Sequence, residues 1–186
     1  MRSYSRMFLI IQSLPKMPYS TRSNKDDWYI LYTRSKFEKK ILMQIPEMDV
    51  EGYLPLQTVT RKWSDRLKKI QIPFFSNYIF VRASMEKCAS LLQIPGALKF
   101  VSFQGEPAYI PDKEIQKIRL IEANQVAVEN VSYYVSGDKV KIMKGVFHGI
   151  EGILIWKIKE TRFVIRIPMF RQAISFEINI NDVSKV

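Results

Sequence analysis

Two patterns of apolar and polar positions divide the chain. In the first, Trp28-Tyr29-Ile30-Leu31-Tyr32-Thr33 is β-branched and aromatic and predicts a strand. Ser35, with Glu38 three residues on, reads as a capping box, and Phe37, Ile41 and Ile45 then recur at helical spacing until Pro46. Gly52 to Leu56 predicts a second strand, with Pro55 at an edge or bulge, and Thr58 to Trp63 a third, running into a basic loop over 61–69. Ser76-Asn77 supplies a turn before a buried strand, Asn77 to Arg82. Ser84 caps a helix through Met85, Cys88, Leu91 and Leu92 that ends at Pro95-Gly96. Leu98 to Phe103 is a strand, and Asp112 caps a last helix through Ile115, Ile118 and Ile121. The order β-α-β-β-β-α-β-α with short connections predicts an α+β layer with a mostly antiparallel sheet.

The second pattern begins after 122–135, which has no glycine or proline, little charge and no clear period, and reads as a linker. Lys139-Val140-Lys141-Ile142 alternates, and Gly145, Gly149 and Gly152 punctuate. Leu154, Trp156 and Ile158 share one strand face, as do Phe163, Ile165 and Ile167, then Ile174, Phe176 and Ile178. Short alternating strands with glycine turns predict a small β-barrel over 136–186.

Composition sharpens this picture. Hydrophobic residues make up 47% of the 186, enough for a core, while the net charge of +11 favours an anionic partner, nucleic acid first. Both predicted folded regions are mildly basic. The charge is concentrated in 61–69 and in residues 1–26, read as a basic tail that is either disordered or ahead of the true start. Met7 to Leu14 is too short for a signal peptide's apolar part and lacks a cleavage site. No apolar run reaches the roughly 18 residues that span a bilayer, and a lone cysteine, Cys88, fits a reducing cytoplasm. Beside the basic run Arg61 to Lys69 sits the turn Phe74-Phe75-Ser76-Asn77-Tyr78, which carries aromatics into an apolar strand. Apolar strand, aromatic turn and neighbouring cations together suit a surface that grips a protein and a nucleic acid.

These residues resemble a known family. Trp28-Tyr29, Lys39-Lys40, the run Arg61-Lys62-Trp63-Ser64-Asp65-Arg66, Phe74-Phe75-x-x-Tyr78-x-x-Val81 and Pro95-Gly96-x-x-x-Phe100-Val101 are similar to the N-terminal (NGN) domain of NusG-type transcription elongation factors. Gly137-Asp138-x-Val140-x-Ile142-x-x-Gly145-x-Phe147-x-Gly149-x-x-Gly152 looks like a KOW motif. The resemblance covers residues 27–186 and implies an NGN-type α/β sandwich over 27–121, a linker over 122–135 and a five-stranded SH3-like barrel over 136–186. It implies a monomer that binds the clamp helices of RNA polymerase, bridges the DNA cleft and suppresses pausing or termination. The Asn77-Tyr78 pair and the basic tail resemble the specialised RfaH and UpxY paralogues, the latter acting on capsular polysaccharide operons, more than the housekeeping member.

The resemblance maps the polymerase-facing patch to Tyr32, Phe75, Tyr78 and Phe103, whereas Phe80 and Phe100, on strands, read as core. It maps contacts with the non-template DNA strand to Arg34, Lys36 and Lys40, with Arg61, Lys62, Trp63 and Arg66 reaching nucleic acid from the basic loop. It places the barrel's partner contact, a ribosomal protein or Rho, at Phe147, Met169 and Phe170. Arg171-Gln172 departs from the family's usual Gly-Arg, Ser76 stands where proline is usual, and Lys87-Cys88-Ala89-Ser90 lacks the threonines of a relative's contact to the polymerase. The isoleucine-rich alternation over 139–180 predicts a stable barrel rather than the helical hairpin that RfaH forms.

An enzyme is not expected. His148 is the lone histidine and Cys88 the lone thiol, so no zinc ligand set exists, and no phosphate-binding glycine loop or nucleophile elbow is present. No cofactor is expected either. The competing class is a KOW-type RNA-binding or ribosome-associated protein, which would have no need of the apolar patch at Phe75 to Tyr78.

Overall fold

The structure is a computed structural model that describes residues 27–103, 106–131, 137–157, 160–167 and 172–186. The expected tail, 1–26, lies outside the described residues, as do Met169, Phe170 and Arg171. The fold is α+β and mostly antiparallel, as the pattern predicts.

The first sheet is organised around β1 (Asp27–Thr33), which pairs antiparallel with β5 (Tyr78–Ala83). Beyond β5 lies β2 (Glu51–Tyr53); on the other side β1 pairs with β6 (Ala97–Phe100) and, at its start, with β9 (Tyr109–Ile110). Because side chains alternate across a strand, β1 serves two cores. Tyr29 and Leu31 join Ile79 and Val81 against α1 (Glu38–Gln44) and α2 (Met85–Leu91), through Ile41, Cys88 and Leu91. Trp28 and Ile30 join Phe80 on the opposite face, against Ile115, Ile118 and Ile121 of α3 (Asp112–Ala123). Phe80 and Phe100 are core residues, as expected.

Polar locks hold α3 in place. The Trp28 indole donates to Asp112 Oδ1 at 3.2 Å, the Tyr53 hydroxyl donates to Glu122 Oε2 at 2.8 Å, and the Leu56 amide donates to Glu122 Oε1 at 2.7 Å. Arg119 lies 5.5 Å from the Trp28 ring centre and 5.0 Å from that of Tyr53, and donates to Glu51 at 2.7 Å.

The expected basic loop is a hairpin: β3 (Leu56–Lys62) pairs over its whole length with β4 (Leu67–Pro73), apart from the main sheet. The sequence hides β4 because Leu67-Lys68-Lys69 breaks the pattern: alternation is confined to Lys69 through Ile72, with Ile70 and Ile72 half-buried on one face and the outer part of the ribbon exposed on both. A further small pair, β7 (Ser102–Phe103) with β8 (Glu106–Pro107), splits the strand expected over 98–103. Helix starts also differ. The expected capping box does not form: Phe37 occupies the N-cap position without a side-chain cap, and Glu38 turns its carboxylate elsewhere. Asp112 is the first residue of α3 rather than its cap, and its carboxylate accepts from Trp28.

Among the described residues the second sheet has six strands where five were implied, in the order β10 (Glu129–Val131), β14 (Gln172–Glu177), β13 (Glu160–Ile167), β12 (Glu151–Lys157), β11 (Asp138–Ile142), β15 (Val183–Lys185). The extra strand comes from the segment expected as linker. Arg162 is the reason: only 6% exposed, it donates to Ser175 Oγ at 3.0 Å and to the Ser175 carbonyl at 3.1 Å, and its remaining charge faces Glu129 at 3.5 Å. A buried guanidinium needs such an acid, and Glu129 supplies it by pairing β10 beside β14. The expected apolar face, with Leu154, Phe163, Ile165, Ile174 and Phe176, is buried. Gly152 sits where an added Cβ would meet the Phe163 ring at 2.5 Å, so this approach requires a glycine.

Between the sheets, Gln57 at the base of the hairpin clamps the connector. Its amide donates to the Val128 carbonyl at 3.0 Å and accepts from the Val128 amide at 3.1 Å. Val128 is buried in a cluster that includes residues of both sheets.

At Gly96, φ is +99° and an added Cβ would lie 2.3 Å from the Phe37 ring. Gly96→Ala is expected to lower stability by at least about 2 kcal/mol in urea unfolding, since backbone strain and the clash add.

Candidate functional site

The open end of the first sheet is built by the β1–β5 register, which sets Tyr32 opposite Tyr78. Their ring centres are 5.2 Å apart at a 49° tilt, and both side chains are half-buried. They lie on the face that carries Phe80 and Ile30, beyond the part occupied by the α3 isoleucines. Partial burial, then the neighbouring Tyr32, raise the Tyr78 phenol above its ordinary value, so it keeps its proton at neutral pH. The pair presents two amphipathic rings, the kind of anchor that dominates interfaces.

The turn that delivers Tyr78 is held from below. Asn77 has φ +72°, and its amide donates to Glu38 Oε1 at 2.8 Å. The Asn77 carbonyl accepts from the Thr33 amide at 2.8 Å. Glu38 is 6% exposed, so its carboxylate is committed to this turn.

Phe75 does not belong to the patch. It is 1% exposed, edge-on to Phe80 at 5.9 Å and to Phe74 at 6.5 Å. Residues 74 and 75 lie in a bend, where strand alternation does not apply, so both successive rings turn inward. Phe103 ends β7, but its side chain lies outside the described residues.

A cation stands beside the tyrosines. Lys99 on β6 stands directly across from Tyr32 and is exposed; sequence reasoning missed it because its position depends on the β1–β6 register. Arg34 and Lys36 are exposed in the loop after β1, and Lys40 is exposed on α1 with its ammonium 5.2 Å from the Phe37 ring centre. Lys39 donates to the Gln71 carbonyl at 3.2 Å, which ties α1 to the hairpin. Arg61, Lys62, Trp63 and Arg66 all lie in the hairpin's outer part, and the fold adds Lys68 and Lys69 to them. In the turn between β11 and β12 Phe147 is half-buried, its ring centre 5.3 Å from that of Phe176, so much of it serves the core.

Comparison with known proteins decides the family. A family model described as "Transcription termination factor nusG" matches residues 26–119, just over half of the chain. The chain belongs to the NusG family. It is 26% identical over 187 aligned residues to the transcription termination/antitermination protein NusG of Rickettsia felis, covering 94% of this chain and 97% of that one. It is 23% identical to the Haemophilus influenzae protein of the same name, covering 91% and 100%. A solved structure described as "Domain interaction in Thermotoga maritima NusG" superposes with a TM-score of 0.58 at 23% identity, covering 87% of this chain and 98% of that one, which supports the NusG-like fold. NusG-family proteins are transcription termination and antitermination factors rather than enzymes, and this chain is one of them. Among the described residues, no helix is long and apolar enough to cross a membrane.

Removing the Glu38 carboxylate leaves a part-buried amide unpaired. Glu38→Ala is expected to cost about 1–3 kcal/mol in chemical unfolding, and Glu38→Gln, which keeps an acceptor oxygen, clearly less.

Proposed function

We propose that this NusG-family factor docks on the clamp helices of RNA polymerase through Tyr32 and Tyr78, with Phe103 at the margin. From there it bridges the DNA cleft and suppresses pausing or termination. The observation that carries this reading is the half-exposed tyrosine pair, with Lys99 directly across from Tyr32. Rings of this kind give affinity through burial, and the cations beside them give attraction to a nucleic acid that lies along the same partner. Arg34, Lys36, Lys40 and Lys99 then meet the non-template strand. The region over 136–186 engages a ribosomal protein or Rho through Phe147, Met169 and Phe170, and the protein acts as a monomer in the cytoplasm.

The specialised reading assigns this factor to long polysaccharide operons and draws support from the Asn77-Tyr78 pair and the basic tail. The housekeeping reading draws equal support from the near full-length match to general NusG proteins. Genome-wide occupancy separates them: a few long operons for the first, most transcribed genes for the second.

Affinity capture of polymerase from cell extract tests the docking face. Tyr78→Ala and Tyr32→Ala are each expected to weaken capture by at least about 30-fold, the scale of a 2 kcal/mol anchor, with unchanged circular dichroism. Capture at the wild-type level by both variants would contradict the assignment.

A further inference from the structure

The connector between the two sheets has little freedom. α3 ends at Ala123, and the turn after it is tied back to the helix. The Asn124 side chain donates to the Leu120 carbonyl at 2.8 Å, and the amide of Gln125, a residue with φ +52°, donates to the Glu122 carbonyl at 2.9 Å. Glu122 in turn accepts from the Tyr53 hydroxyl and the Leu56 amide, so the exit from α3 is fixed to the first sheet and to the base of the hairpin.

The chain is gripped again at Val128. The Gln57 side chain meets this residue as a neighbouring strand would, donating to its carbonyl at 3.0 Å and accepting from its amide at 3.1 Å. An amide side chain offers a donor and an acceptor side by side; a carboxylate or an ammonium at position 57 could make only half of this pair. The next residue belongs to the second sheet. Glu129 pairs with Ser175 of β14, and its carboxylate stands 3.5 Å from the guanidinium of the buried Arg162. Breaking that ion pair strands a buried charge, which anchors β10 where it lies.

Val128 and Glu129 are thus held from opposite sides, with one peptide bond between the two anchors. The reach of a flexible linker grows as roughly 5–6 Å times the square root of its free residues, and anchors on adjacent residues leave it no length. The Val128 side chain closes the joint. It is buried in a cluster with Trp28, Ile30 and Phe80 of the first sheet and Leu154, Phe163 and Phe176 of the second.

We propose that Gln57 and Glu129 form a latch that makes the two sheets tumble as one body. The hairpin base is the first sheet's half of the latch, and β10 is the second sheet's. With the latch closed, a partner of the region over 136–186 is carried at a fixed distance and orientation from the tyrosine face. With Gln57 released, the backbone around Val128 becomes a hinge about which the second sheet swings. The latch stands whether or not the tyrosine face docks on polymerase.

Backbone amide relaxation of the full chain, measured by NMR, reads the tumbling of each sheet separately. Amides of β1 and β5 and amides of β12 and β13 are expected to give the same rotational correlation time. Gln57→Ala, and Gln57→Glu with the same shape but no donor, are each expected to split the two values, with the second sheet faster. Both variants are also expected to speed hydrogen exchange of the Val128 amide by at least about tenfold while β1 and β5 keep their protection. Faster tumbling of the second sheet in the unsubstituted chain would overturn the proposal. So would equal correlation times in both variants, or an exchange rise shared by β1 and β5, the sign of global destabilisation rather than an opened latch.

Discussion

The register between β1 and β5 is the constraint on which the rest depends. Because side chains alternate, a slip of one residue would send Tyr32 to the side of α1 and α2 and bring Tyr29 and Leu31 out of their core. The register is fixed from both faces at once, by Trp28, Ile30 and Phe80 against α3 and by Leu31, Ile79 and Val81 against the other helices. The half-buried pair Tyr32–Tyr78 is thus specified by the buried residues beneath it. Glu38 completes the arrangement by spending a buried carboxylate on the left-handed Asn77.

The same economy governs the hairpin. A two-stranded ribbon is marginal alone, and here the packing and hydrogen bonds that hold it gather at its base. Glu122 fastens the start of β3 to the end of α3, and Gln57 fastens the next residue to the connector. The base of the hairpin, the core helix and the segment leading to the second sheet therefore meet within two adjacent residues of one strand.

Where the sequence carried a period, the fold was legible: the β1 run, the α3 isoleucines and the alternating strands of the second sheet all lie where the pattern puts them. It was illegible where long-range pairing overrides local signals. β4 alternates only over Lys69 to Ile72, and its outer part is exposed on both faces. β10 exists because a buried Arg162 needs Glu129, a partner 33 positions away. The apparent capping box dissolved because Glu38 finds a better partner in Asn77, 39 positions away. Phe75 looked like an anchor because it sits in an aromatic turn, but a bend lets adjacent rings share one core. Tyr32 and Tyr78 were readable; Lys99 was not, since only pairing with β6 brings it beside them.

The most direct measurement replaces Tyr32 with a photo-crosslinking phenylalanine analogue in the full chain, adds a reconstituted elongation complex, irradiates, and maps adducts by mass spectrometry. Docking through the tyrosine face predicts adducts confined to the clamp helices of the polymerase. A bound complex whose adducts fall elsewhere, or that forms none, would contradict it.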